Sequence, residues 1–530
     1  MASAERPVTP TTFGPVTPPG QPPRSRYLRL AAKRALVIDP AAASFQLLAL
    51  GIRLQTVASA MQRSRTSLYR LWATQEDFHT DLALYLVVQN DYRAPTAELP
   101  WRRSLSHQNV PTAVDLPDLL EFTRMVLEMV QDHILSDPWI AVRAATIGCG
   151  NPGELAPLRA AVEQQRLQDL TAILDDMLEA AGLVPVPSTR TSDLALGLWC
   201  LADGFATLAR SLPRLKDEVV NVDDGDGPAP WRLFAYIARC LLVTTTVPGD
   251  PPSAPRTAPA ARGVEAYAFG RAWVPLQLEA LEVGARLFTD RFVASDDGGA
   301  PQVLTGLPQI NIANLAREAG VTRRPVYDIW PTSEDLRLDL LRSFLYAESS
   351  NLTRKLDRLT QSRTPITPQA ALAALVREPN PQQLSPAEAA SAFLLDVHRP
   401  RARMILETGT AAMLKSVAEA VDRAWPPPAT SNHASGSIAP VAATVIALAT
   451  GANRLLRTSP VATDRQALVD RALAPTLRAV LGQRAGLNFD SQLPSPPSSL
   501  GPHGARPRRC LGAPLHEASR PFQVSSPRAL

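Results

Sequence analysis

Two stretches of the chain place apolar residues at helical spacing and then break into a turn in the same way. Leu54, Val57, Ala58 and Met61 fall at i, i+3, i+4 and i+7, one face of a helix. Ile312, Leu315, Ala316 and Ala319 repeat that stripe. After each comes a short turn, then Ser64 or Thr322 as the N-cap of a second short helix, its hydroxyl accepting a bond from otherwise unpaired amides. This second helix turns Leu68, Leu71 and Trp72, or Val326, Ile329 and Trp330, toward a core and leaves its Arg, Ser and Thr positions outward. Pro325 is tolerated in the first turn, where its missing amide has no intrahelical partner. Thr74 and Thr332 open a third helix as T-x-x-D capping boxes with Asp77 and Asp335.

Longer amphipathic runs follow each of these heads. Leu119 to Ile134, Glu154 to Ala181, Leu194 to Leu212 and Trp231 to Val247 belong to the first block, and Ala411 to Ala424, Ile438 to Leu456 and Asp464 to Leu481 to the second. The pattern predicts an all-α protein.

The heads are related in sequence. An offset of 258 brings Leu54–Leu82 onto Ile312–Leu340 with nine identities in 29 positions, among them Arg65/Arg323, Tyr69/Tyr327, Trp72/Trp330, Asp77/Asp335 and Asp81/Asp339. A second match, at offset 247, sets LADGFATLARS (Leu201 to Ser211) against LATGANRLLRT (Leu448 to Thr458). Two matches in the same order mark one ancestral unit present twice.

Proline divides the chain accordingly. Residues 1–23 carry seven prolines, 248–261 five and 484–530 eight, and none of these segments has helical periodicity, so each is expected to lack a fixed fold. The expected division is therefore an arm (1–23), a first head (24–90) and body (91–247), a linker (248–261), a second head (262–347) and body (348–483), and a tail (484–530).

Composition narrows the function. The chain has 530 residues, 45% hydrophobic and 20% charged, which excludes both a wholly disordered protein and a disulfide scaffold. Cys149, Cys200, Cys240 and Cys510 show no metal-binding or redox spacing and read as buried thiols in a reducing compartment. The first residues lack the apolar core of a signal peptide, and the most apolar run, Ile438 to Ala452, is too short to span a bilayer, so a cytoplasmic protein without a membrane partner is expected. No HExxH, GxSxG, GxGxxG or P-loop pattern occurs, and the seven histidines have no paired-ligand spacing. No enzyme, metal or cofactor is implied.

At the two heads the sequence resembles the TetR family of bacterial transcriptional regulators. INIANLAREAGVTRRPVYDIWPTSEDL, Ile310 to Leu336, follows that family's DNA-binding pattern closely, and LQTVASAMQRSRTSLYRLWATQEDF, Leu54 to Phe78, more loosely. The resemblance implies tandem units, each a helix-turn-helix head on a helical ligand-binding and dimerisation body. It implies that Arg63, Ser64, Arg65, Thr66, Ser67, Tyr69 and Arg70 meet double-stranded DNA, and likewise Thr322, Arg323, Arg324 and Tyr327. It also implies subunit pairing through the last two long helices of each body; with both copies in one chain, the pairing is expected to be an intramolecular pseudo-dimer or a homodimer. A small-molecule effector inside a body is a further implication, with Trp139, Trp199 and Phe205, then Trp231, Phe234 and Tyr236, as candidate lining, although large aromatics at this spacing also serve as plain core.

Charge separates the two heads. Arg24 to Trp72 holds nine basic residues against Asp39 alone, whereas Arg271 to Trp330 holds six basic against seven acidic. A polyanionic duplex favours the first, helped by a basic arm from Arg24 to Arg34. Gln62 and Arg63 replace the Gly-Val of the family's turn, and Gln75 and Ser333 stand where a phosphate-holding Lys is common. These departures keep open an alternative, a helical ligand-binding or interaction scaffold that has lost DNA affinity.

Overall fold

A computed structural model describes residues 53–85 in part, 116–136, 155–180, 183–223, 228–249, 275–284 in part, 311–362, 365–378, 385–394 except one, 400–426, 439–458 and 464–484. The arm, all of the tail but Arg484, the basic stretch Arg24 to Arg34, Trp139 and all but the first two linker residues lie outside them.

In the first half, α1 (Leu54–Ala60) and α2 (Arg65–Tyr69) form the head, and α3 (Leu116–Ser136), α4 (Leu155–Ala180), α5 (Thr191–Ser211) and α6 (Leu233–Thr245) the body. The second half has α7 (Ile312–Glu318), α8 (Arg324–Tyr327), α9 (Ser333–Thr360), α10 (Pro368–Leu375), α11 (Pro386–Ser391), α12 (Pro400–Ala424) and α13 (Ala439–Thr458). It closes with α14 (Arg465–Ala467), a π-helical stretch (Leu468–Leu473) and α15 (Ala474–Arg484). No helix among the described residues is long and apolar enough to cross a membrane.

The described residues are mostly helical, in keeping with the all-α expectation, and two short ribbons are added to the helices. Two antiparallel ribbons flank α5 and α6: β1 (Leu183–Pro185) pairs with β4 (Thr246–Pro248), and β2 (Val219–Asp223) with β3 (Pro228–Arg232). They shorten the expected helix at Trp231 to Val247, because Trp231 and Val247 both lie in extended backbone. The linker segment begins inside β4, since Pro248 pairs with Leu183.

The expected head–body boundary of the second half is at 347/348. It falls in the middle of α9, a single helix of 28 residues that begins in the head with the Thr332/Asp335 capping box and ends deep in the body. Head and body of the second half share one rigid element.

The two halves share a core. Phe205, Phe234 and Ile237 of the first half and Val417, Val445, Leu448 and Leu473 of the second belong to the same buried apolar cluster. At its centre α5 crosses α13, and the closest approach is reciprocal. A Cβ on Gly204 would lie 1.9 Å from the Ala447 carbonyl oxygen, and one on Gly451 would lie 1.9 Å from that of Cys200. Gly204/Gly451 and Cys200/Ala447 are equivalent pairs at the offset of 247, so residue i meets j while j's counterpart meets i's. That is the self-complementary pattern of a two-fold interface, built here within one chain. Cys200 and Cys240 are buried free thiols, as the sequence suggested, and burial pushes the Cys240 thiol up to about 12. Cys149 and Cys510 lie outside the described residues.

Candidate nucleic-acid interface

Each head is a helix, a tight turn and a second short helix. The turn places one residue in the left-handed region: Gln62 at φ 54° in the first head and its counterpart Gly320 at φ 68° in the second. The following amide reaches back five residues, Arg63 N–H donating to Ala58 O at 2.9 Å and Val321 N–H to Ala316 O at 3.0 Å, which seals the helix end. A Cβ at Gly320 would meet no atom within 4 Å, so the cost of a side chain there is backbone strain alone. Gln62→Gly is expected to stabilise the first head by about 0.5 kcal/mol, the left-handed cost less the added chain entropy, and Gly320→Gln to weaken the second by about the same. Hydrogen exchange of the amides of α1 and α7 reads each change separately.

The cap of the second short helix differs between heads. Ser64 Oγ accepts from Ser67 N–H at 3.2 Å, as expected. Thr322 does not repeat this: the N-cap is Arg323, without a side-chain cap. The reason is chemical. The residue three beyond Thr322 is Pro325, which has no N–H to donate. Both capping boxes of the third helix form, with Thr74 N–H donating to Asp77 Oδ2 at 2.9 Å and Thr332 N–H to Asp335 Oδ2 at 3.1 Å. Burial pushes the Asp335 carboxyl up, but the Thr332 hydroxyl, the Arg401 guanidinium and the Thr332 amide together hold it below its usual range.

Gln75 and Ser333, read from sequence as missing phosphate contacts, have a structural task. Gln75 Oε1 accepts from Leu54 N–H at 2.9 Å, capping the start of α1 from another helix, and Ser333 Oγ accepts from Ile312 N–H at 3.4 Å. The indoles that close the heads are also paired alike. Trp72 Nε1 donates to Asp81 Oδ2 and Trp330 Nε1 to Asp339 Oδ2, both at 2.8 Å and both buried. Sequence comparison found all four residues among its identities without assigning them a bond.

The outward faces match the expectation. Arg63, Ser64, Arg65, Thr66 and Arg70 are exposed, and Ser67 and Tyr69 half-buried. Arg65 lies over the Tyr69 ring at 5.0 Å and donates to its hydroxyl at 3.3 Å, one turn apart on a single face. The hydroxyls of Ser64 and Ser67 are engaged within the cap, Ser67 Oγ donating to Ser64 O at 2.6 Å. In the second head Thr322, Arg323 and Arg324 are exposed and Tyr327 is 45% exposed, with the exposed Asp328 beside them.

Part of the segment assigned to the second head touches the first. In the described part of residues 275–284, a Cβ on Gly284 would lie 3.2 Å from Phe78 and Leu82 of the first head, and Glu279 lies 4.0 Å from Arg63. Phe78 and Leu82 form a fully buried apolar face that needs cover, and this segment provides it. The Arg63–Glu279 pair is half-exposed and contributes little.

Those aromatic candidates for a ligand site that lie among the described residues pack in or against the shared core. Phe205 stacks at 5.5 Å on Phe234, Arg239 lies over Trp231 at 5.2 Å, and burial drives the Tyr236 phenol far above its ordinary value. Trp199 packs against the same core. A cavity of about 50 Å³ lies instead between the halves, lined by Leu345, Glu348 and Leu352 of α9, Thr410 and Met413 of α12, and Gly204 and Thr207 of α5. Its volume suits one or two waters. Among the described residues no group of three or more His, Cys, Asp or Glu side chains is placed to hold a metal.

Comparison of the chain with protein-family models, curated proteins and solved structures found no match.

Proposed function

We propose that the chain is a sequence-specific DNA-binding transcriptional regulator, a repressor of TetR-like build whose two units pair within one chain. The observation that carries this is the Arg65–Tyr69 face: a short helix with a satisfied cap, positioned by a sealed turn, presenting a guanidinium and a phenol together with Arg63 and Arg70. Such a helix fits the major groove, with its flanking cations on phosphates. The shared helix α9 supplies a route by which a small effector that enlarges the cavity at Leu345 and Glu348 shifts the second head.

For the second head, exposed Asp328 beside Arg324 and the uncapped start of α8 favour a weaker or structural role. A preferred site is then asymmetric, read chiefly by the first head.

A mobility-shift titration with the DNA upstream of the chain's own coding region tests the reading. Four phosphate contacts predict that affinity falls on the order of 10²-fold between 50 and 200 mM salt. Arg65→Ala and Tyr69→Ala are each expected to weaken binding about tenfold or more. Unchanged affinity in both folded variants refutes the assignment of this helix and leaves the scaffold reading in its place.

A further inference from the structure

We propose that Asp203 and Arg454 form a one-sided polar lock, by which the α5 face accepts the other half of its own chain and rejects a second copy of itself. Arg454 Nη1 donates to Asp203 Oδ2 at 2.7 Å and to Thr207 Oγ1 at 2.9 Å, and Nη2 donates to Ser391 Oγ at 3.4 Å. Both charged side chains are almost fully buried, 4% and 3% exposed.

The repeat shows why this pair discriminates. At the offset of 247, Asp203 corresponds to Thr450 and Thr207 to Arg454. The two-fold counterpart of the Asp203–Arg454 contact is therefore Thr450 with Thr207, and both threonines line the same small cavity at the crossing. One side of the axis holds a charge pair; the other holds two hydroxyls.

The closest backbone approach is symmetric. Gly204 and Gly451 make the same approach from either side, so backbone shape alone permits first half on first half, or second on second. Charge forbids it. Two first halves would set each Asp203 against a Thr207, taking the Arg454 guanidinium away from two buried carboxylates. Two second halves would set each Arg454 against a Thr450, taking the Asp203 carboxylate away from two buried guanidinium groups. Only the unlike pairing keeps this carboxylate on this guanidinium, and breaking a buried pair costs far more than making one gains. The tether raises the effective concentration of the unlike half of the same chain only, and between halves of different chains it gives no preference. The lock supplies that preference.

Charge reversal in the full chain tests it. The wild type is expected to sediment at the single-chain mass of 57.2 kDa across micromolar concentrations. Asp203→Arg and Arg454→Asp each face like charges at the crossing, and each is expected to lower the melting midpoint by more than about 10 °C. The double reversal restores a monomer. An equimolar mixture of the two single variants, refolded together from urea, is expected to give a species of twice the chain mass, because the guanidinium introduced in one chain then meets the carboxylate introduced in the other. Recovery in either the double reversal or the mixture supports the lock. Recovery in neither overturns it, as does a single reversal that melts with the wild type or a wild type that sediments as a dimer.

Discussion

Replacing Gly451 by alanine is expected to lower the midpoint of the main unfolding transition by roughly 5 °C, a cost of about 3 kcal/mol. The new Cβ would sit 1.9 Å from the Cys200 carbonyl oxygen, which belongs to helix backbone and has no rotamer by which to move aside. An ordinary C···O contact needs about 3.3 Å, so α5 and α13 must part by about 1.4 Å. A gap of that size forfeits a large share of the dispersion contacts along the crossing, where Leu201, Leu448 and Val445 are fully buried. Gly204→Ala meets Ala447 O at the same distance and is expected to cost about the same. Equal losses are the signature of the internal two-fold. A melt in which one variant is silent removes that symmetry. Gly320→Ala, in open space within the head, serves as the control that leaves this transition in place.

The glycines were visible in sequence only as part of an eleven-residue match, since a repeat shows that two helices are alike and not that they cross. Their helical spacing fixed the helices themselves: α4 and α13 run within two residues of the expected bounds, and α5 starts at Thr191 in place of Leu194. The ribbons were missed, though Val219, Val220 and Val222, followed by Asp and Gly residues, carry a hairpin signal. The helical period on either side absorbed them. The missing cap at Thr322 was legible too, because a proline three residues on cannot donate. Gln75 and Ser333 show a different limit. A departure from a family pattern was read as a lost function, whereas the side chain serves a neighbouring helix end 21 residues away, a contact that no local pattern encodes. The cavity was out of reach for the same reason, being bounded by α5 of one half and α9 and α12 of the other.

Asp339→Ala is expected to destabilise the second head by about 2–3 kcal/mol while leaving the shared core folded. Trp330 is 1% exposed, and its indole N–H has Asp339 Oδ2 as acceptor at 2.8 Å. Truncation leaves that N–H buried and unpaired, and it also strips Arg342 of the carboxylate oxygen it reaches at 2.8 Å. The ion pair matters less, because Arg342 is 46% exposed and surface pairs contribute little. The orphaned indole carries most of the cost. Asp339→Asn separates the two effects: its amide oxygen still accepts from the indole, so the loss should stay below about 1 kcal/mol. Trp330 seats α8 against α9, with Val326, Leu336 and Leu340 around it. Its loss should therefore release α8 and raise the exchange of the Trp330 amide, which donates to Val326 O at 3.0 Å, about 30-fold or more. Asp81→Ala should do the same at Trp72 in the first head, where it would also abolish DNA binding if that helix reads the duplex. Normal protection of both amides in the alanine variants would mean that the buried bond does not hold the heads together, and that the identity of these four residues has another cause.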